Sequence, residues 1–177
     1  MQTQTNKSSQ NWVEKYLHDN FIKFEEHTHE PKYTTQEVAQ AEHISGHRVA
    51  KVVVAMSGQT PSLLVLPASY MVDLAMARKS TGINDLRFAT EYEIENFFPD
   101  CQIGAVPPLP KWSGIKIYMD PSMRHPGNFL FQAASHEQAI LMKFSDWYEV
   151  ANPIEITFAQ APGPESHNRQ ATMIYKN

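Results

Sequence analysis

Residues 49–56 read Val-Ala-Lys-Val-Val-Val-Ala-Met, an apolar run interrupted only by Lys51. Eight residues rich in β-branched side chains suit a strand buried on both faces better than a helix. The cluster Ser57-Gly58-Gln59-Thr60-Pro61 turns the chain, residues 62–66 bring it back, and Pro67 ends the return, so the segment predicts a β-hairpin. A strand with no solvent face must be covered on both sides. That requirement decides how the rest of the chain is read.

The covering elements are short. Ser8 or Ser9 is placed to cap a helix whose apolar face holds Trp12, Val13, Tyr16 and Leu17. Residues 21–26 read as a strand and 27–32 as a polar turn. Thr34 with Glu37, and Thr90 with Glu93, are capping-box pairs that open two further helices. A helix over residues 70–80 ends before Gly82, which stands where a C′ glycine belongs. Strands are expected at 86–88, 114–119, 128–133 and 139–143, and Ser145 is placed to cap a last helix. Hairpins mixed with helices between strands give an α+β (mixed α/β) class. The expected architecture is a single domain with a central mixed, mostly antiparallel sheet and surrounding short helices. Residues 1–9 read as a flexible lead, 10–152 as the domain and 153–177 as a C-terminal tail.

With 177 residues, 42% hydrophobic and 11% aromatic, the chain is long and apolar enough for a sizeable core. Its net charge of −4 excludes a general electrostatic affinity for polynucleotides and leaves room only for a local contact through a few placed cations. The single cysteine, Cys101, excludes an internal disulfide framework and fits a reducing compartment. No apolar run approaches a membrane span, and residues 1–10 lack the apolar core of a signal peptide, so the expected location is the cytoplasm.

Lys51 is the most informative charge: a lysine alone in an apolar strand is either a fixed cation for a phosphate, carboxylate or ester carbonyl, or a strand-end lysine that snorkels to water. The stretch Gly104-Ala105-Val106-Pro107-Pro108 is stiff, and its two prolines leave only three backbone donors. It is either a corner or a small set of amides held in place for a carbonyl or a hydroxyl. His136, beside Ser135 in a strand-to-strand connection, is a solvated loop histidine or a pocket contact. His27 with His29 and His43 with His47 have no third ligand motif to complete a metal site, and no metal is expected. Walker-type, G-x-G-x-x-G and G-x-S-x-G motifs are absent, and nothing near Cys101 would activate it as a nucleophile.

Taken in order, several segments resemble one family: Val49-Ala50-Lys51-Val52-Val53-Val54, Val65-Leu66-Pro67-Ala68-Ser69, Leu86-Arg87-Phe88-Ala89-Thr90-Glu91-Tyr92-Glu93, residues 97–108, Tyr118-Met119-Asp120 and Ser135-His136-Glu137. The chain resembles the YbaK/prolyl-tRNA synthetase-associated domain family over roughly residues 33–152. The resemblance implies a free-standing aminoacyl-tRNA deacylase that hydrolyses the ester of a mischarged tRNA in trans. It also implies an essential strand lysine at Lys51, a substrate-binding G-x-x-x-P loop at Gly104–Pro108 (Gly104, Ala105, Val106, Pro107, Pro108), and substrate contacts at Ser135 and His136. The implied partners are the acceptor end of a mischarged tRNA and an aminoacyl-tRNA synthetase. No cofactor and no membrane are implied. Two departures stand out: Val52 follows the lysine where members commonly carry threonine, and Ala134-Ser135 replaces a glycine near the histidine.

Two other readings stand beside this one. A non-catalytic RNA- or nucleotide-binding module would use Trp112 with Lys111 and Lys116 as a stacking platform. A regulatory module on the same fold would not need Lys51, the glycine–proline loop and His136 together.

Overall fold

The computed structural model describes residues 11–32 and 34–163. In chain order the elements are α1 (Trp12–Asp19), β1 (Phe24–Thr28), α2 (Thr35–Ala41), a 3-10 turn (Gly46–Arg48), β2 (Ala50–Ser57), β3 (Thr60–Pro67), β4 (Met71–Val72), α3 (Leu74–Thr81), β5 (Arg87–Phe88) and α4 (Glu91–Phe97). There follow β6 (Lys116–Met119), a second 3-10 turn (Pro121–Met123), β7 (Asn128–Gln132), β8 (Gln138–Lys143), α5 (Phe144–Ala151), β9 (Ile154–Glu155) and β10 (Ala159–Gln160).

The mixed α+β class with mostly antiparallel pairing is the observed one. A five-stranded sheet has the order β5-β2-β3-β6-β9, a three-stranded sheet the order β1-β8-β7, and β10 pairs with β4. Only β3–β6 and β6–β9 are parallel among these strand pairs. Where a single sheet was expected, two larger ones meet at a parallel bridge between Val49 and Leu130, just ahead of β2.

The β2–β3 hairpin forms as its sequence requires, from Ala50 opposite Pro67 to Ser57 opposite Thr60. Its side chains alternate between two cores. Ala50, Val54 and Met56 enter the main core with Phe129, Phe131, Ile140, Met142 and Trp147. Val53 and Ala55 face a second core with Leu64, Leu66, Tyr118 and Phe158. A third cluster, Val38, Ala39, Val49, Ala68, Leu130 and Ala139, seats α2 on the outer face of the three-stranded sheet. Complete burial of side chains such as Leu63, Leu64 and Leu66 is worth about 1.5–3 kcal/mol each.

Both capping boxes are present, Thr34 with Glu37 on α2 and Thr90 with Glu93 on α4, and Gly82 takes φ +74° at the end of α3. Other boundaries move. Ser8 and Ser9 lie outside the described residues, and α1 is capped by Asn11, whose Oδ1 accepts from Val13 N. Asn11 also donates to Ala133 O and Gln138 Oε1, tying α1 to the β7–β8 turn. The first strand starts at Phe24 rather than residue 21, because Phe21 has φ +57° and is exposed. Ser145 is not the last cap: β8 runs straight into α5, so Lys143 occupies that position without a side-chain bond.

The segment read as a tail is packed into the domain as far as residue 160. β9 continues the large sheet beside β6, and Phe158 is fully buried. Buried Asp120 caps the second 3-10 turn through Ser122 N, and its other oxygen accepts from Phe158 N and Ala159 N at 2.8 Å each. The expected lead, residues 1–9, and the end of the expected tail, 164–177, lie outside the described residues. No helix among the described residues is long and apolar enough to cross a membrane.

Candidate active site

Lys51 leaves β2 on the same side as Val53 and Ala55, away from the main core that takes Ala50 and Val54. Its Nζ donates to Tyr70 O. Among the described residues no carboxylate pairs with it. Burial without a counter-charge pulls the Lys51 ammonium down to about 8. The snorkelling alternative therefore does not describe it. The side chain is half-buried and held by a neutral carbonyl, a cation in want of an anion.

The junction of the sheets shows what stands beside it. Val49 bridges Leu130 in parallel, and both side chains enter the cluster under α2. The pairing goes no further, but alternation along each strand turns Lys51 and Gln132 to the same side as that cluster. Gln132 in turn pairs with Ala139, and Ala139 with His27. One row of side chains thus runs His27, Ala139, Gln132 across three strands, and Lys51 on β2 is turned to the same side. His27 closes its end, its Nδ1 lying 2.5 Å from Oε2 of Glu42, the C-cap of α2.

Gln132 is buried, with 4% of its surface exposed. Its Nε2 donates to Lys32 O at 2.9 Å and lies 3.4 Å from His136 Nδ1. His136 Nδ1 is itself 3.1 Å from Lys32 O. A carbonyl can only accept, so the contact with Lys32 O is a hydrogen bond in the tautomer that carries its proton on Nδ1. The backbone of Lys32 grips the same residue through its N–H to His136 O, 2.8 Å.

Residues 104–108 form the adjoining wall. Gly104 has φ +85°, and a Cβ placed on it would meet His136 Cε1 at 3.5 Å. Gln102 joins the loop to the β7–β8 turn: its N–H donates to Ala134 O, and its Oε1 accepts from His136 N at 2.7 Å. Ala134 N donates to Ala105 O at 3.0 Å. At the far end Trp147 Nε1 donates to Pro108 O at 2.7 Å from within the core. Of the three amides expected as donors, Ala105 N–H is used within the loop, bonded to Gln102 O at 2.9 Å. The N–H groups of Gly104 and Val106 make no hydrogen bond among the described residues. Ala134, one of the two residues noted in place of a glycine near the histidine, takes φ +64°, the conformation a glycine adopts without strain.

The structure sets His136 against both Gly104 and Gln132 and turns Lys51 to the same side as Gln132. Pro107 and Pro108 stiffen the wall behind Val106. Ser135 serves the turn, its Oγ accepting from Glu137 N at 3.0 Å. Gln132, Lys32 O and Tyr70 O were not singled out from sequence. For Gln132 the signal was weaker than for Lys51: an amide at the end of β7, next to the apolar run Phe129-Leu130-Phe131.

Two other features prove structural. Burial pushes the Cys101 thiol up to about 12, so it is not a thiolate nucleophile at neutral pH. Trp112 is no open platform. It packs edge-on against Phe98 at 4.6 Å and Trp12 at 5.4 Å between ring centroids, and Lys111 is paired with Asp100 at 2.5 Å.

The family model described as an aminoacyl-tRNA editing domain matches residues 29–149. Among curated protein sequences, none matches this chain. Solved structures share the fold. One is described as hypothetical protein APE2540, with TM-score 0.76 at 14% identity, covering 84% of this chain and 99% of that one. Another is described as a candidate trans-editing enzyme for prolyl-tRNA synthetase, with TM-score 0.72 at 19% identity, covering 84% and 95%. A third, described as a candidate signal transduction protein from Marinobacter aquaeolei, has TM-score 0.65 at 16% identity and covers 84% of this chain but 30% of the other. There the fold is one part of a longer protein.

Proposed function

The chain belongs to the aminoacyl-tRNA editing domain family, and on that premise we propose that it is a deacylase hydrolysing the ester of a mischarged tRNA in trans. The observation that supports the reading is that His136 packs between the 104–108 loop and Gln132, on the side of the sheets to which Lys51 is turned. That side offers hydrogen-bond donors and a cation to a substrate rich in oxygens. The fold shared with a candidate trans-editing enzyme for prolyl-tRNA synthetase supports the trans mode.

An aminoacyl ester is already reactive, so placing it and holding its developing charge is a large part of the task. Water attacks the acyl carbon, and the carbonyl oxygen gains charge beside the N–H groups of Gly104 and Val106. The tetrahedral species collapses with loss of the ribose oxygen, which takes up a proton and leaves as the terminal hydroxyl. The amino acid departs as its carboxylate. Lys51 binds the terminal phosphate, supplying the anion that its own surroundings lack. His136 Nε2 accepts from the attacking water or a ribose hydroxyl, and its ring shapes the pocket beside Gly104. Selection by size in such a pocket gives about 10- to 200-fold per methylene.

The test is deacylation across a panel of mischarged tRNAs with the purified full chain. Release of amino acid from at least one of them, well above the spontaneous rate, is expected. Spontaneous rates throughout the panel would overturn the reading.

A further inference from the structure

Gln132 takes no part in the steps above, yet it stands at the centre of the site. Its strand neighbours Phe131 and Ala133 face the main core, and alternation turns Gln132 to the side of Leu130 and Lys51. An amide buried at such a position is disfavoured unless its polar atoms are used. Half of this one is accounted for: Nε2 donates to Lys32 O at 2.9 Å. That bond also fixes the orientation of the amide, because the flipped form would set Oε1 against a carbonyl oxygen. Oε1 therefore points away from Lys32.

Oε1 accepts no hydrogen bond among the described residues. Among the described residues the fully buried polar side-chain atoms without a partner are Trp12 Nε1, His29 Nε2 and Ser69 Oγ. Gln132 Oε1 is not one of them, so the small exposed part of this side chain includes its oxygen.

The other groups in this face give the oxygen its meaning. Lys51 and the N–H groups of Gly104 and Val106 are donors and can hold only the oxygens of an ester. Whatever its side chain, an aminoacyl ester also carries an α-ammonium, one atom from the carbonyl carbon. That group needs an acceptor and is repelled by Lys51. One imidazole, His136, separates the Gln132 amide from Gly104. The geometry points to Gln132 Oε1 as the acceptor for the α-ammonium of the bound aminoacyl group. Gln132 is then a specificity-determining residue that selects esters with a free α-amine over N-blocked ones. This inference rests on the deacylase reading for its substrate class.

The test compares a hydrolysed aminoacyl-tRNA with its N-acetylated form, on the wild type and on Gln132→Met and Gln132→Leu. The wild type is expected to favour the free amine by about tenfold or more in kcat/KM, the scale of one hydrogen bond to a charged group. Both variants are expected to lose that preference through a slower reaction with the free-amine ester alone. The ratio of the two rates does not depend on how much of a variant is folded. An unchanged ratio in both variants, or no preference in the wild type, overturns the assignment. A second arm measures binding of an amide-linked, non-hydrolysable aminoacyl-adenosine and its N-acetyl form. If no tRNA in the panel is hydrolysed, the deacylase reading fails, and this arm alone decides on Gln132. Preference for the free amine, lost in both variants, supports the assignment, and equal or absent binding overturns it.

Discussion

In the floor of the candidate site, Lys51 and Gln132 stand on regular strands, and the difficulty lies in their side chains. One is an ammonium without a counter-charge, the other an amide with half its capacity unused. In the wall, residues 104–108 and 134–136, the side chains are small or apolar except His136, and the difficulty lies in the backbone. Gly104 and Ala134 both have positive φ, and the amides of Gly104 and Val106 lack protein partners among the described residues. The floor gives up electrostatic stability to keep charge and polarity on a rigid strand. The wall gives up conformational stability to keep two N–H groups still. The proposed substrate, with a phosphate, an ester and an ammonium, would relieve both.

The contrast is broken most directly at Lys51. Lys51→Met is expected to lower kcat/KM for deacylation by about 10- to 100-fold, the usual scale for losing one charge-assisted contact to a phosphate. The same change should raise thermal stability, because the buried cation costs at most about 3 kcal/mol, less what solvent reaching the half-buried chain returns. A denaturant titration that finds the variant less stable than the wild type would make Lys51 a structural residue. The pH dependence follows from the same cause. The folded ammonium titrates near 8 and the unfolded one at its ordinary value of 10.5, so between these limits the unfolded chain binds more protons. Wild-type stability relative to Lys51→Met should accordingly be lowest below pH 8, rise from 8 to about 10.5 and then level off. The enzymatic rate divided by the spontaneous rate should fall as pH rises through 8.

The wall responds on a smaller scale. Trp147→Phe keeps most of the aromatic packing but strands Pro108 O, and a loss of about 1–3 kcal/mol is expected in urea unfolding. KM should increase as the loop loosens, and an unchanged KM would mean that the β7–β8 turn alone holds it. Gly104→Ala should lose about 1 kcal/mol from the left-handed conformation and weaken substrate binding, since its methyl would lie 3.5 Å from His136 Cε1. Ala134→Gly should shift stability least, within about 0.5 kcal/mol. Relief of a similar strain is offset there by loss of a buried methyl worth about 0.8 kcal/mol.

What could be read from the sequence was local. Thr34 and Glu37, Thr90 and Glu93, Gly82 and the β2–β3 turn each specify their geometry within a few residues. Lys51 was conspicuous because every neighbour is apolar. Gln132 was passed over because it ends its strand, and only the bridge of Val49 to Leu130 turns it to the same side as Lys51. The short β9 and β10 have no pattern of their own, and they exist because β6 and β4 offer edges to them. Ser145 looked like the better cap by residue type, but the register of β8 carries the chain into α5 two residues early. Ala134 shows the same limit in reverse: hydrogen bonds on both sides hold it where its residue type alone would not go.

The distant partnerships also set an order in time. The β2–β3 hairpin can close as soon as its residues leave the ribosome. Phe24 waits for Met142, Val49 for Leu130, and Asp120 for Phe158. Folds dominated by such separations form slowly, and an early hairpin with open edges is exposed to wrong pairing meanwhile. The face to which Lys51 and Gln132 are turned comes into being only when the last third of the chain arrives. A shortened chain therefore has no weakened version of the site, and activity during synthesis should appear abruptly and late.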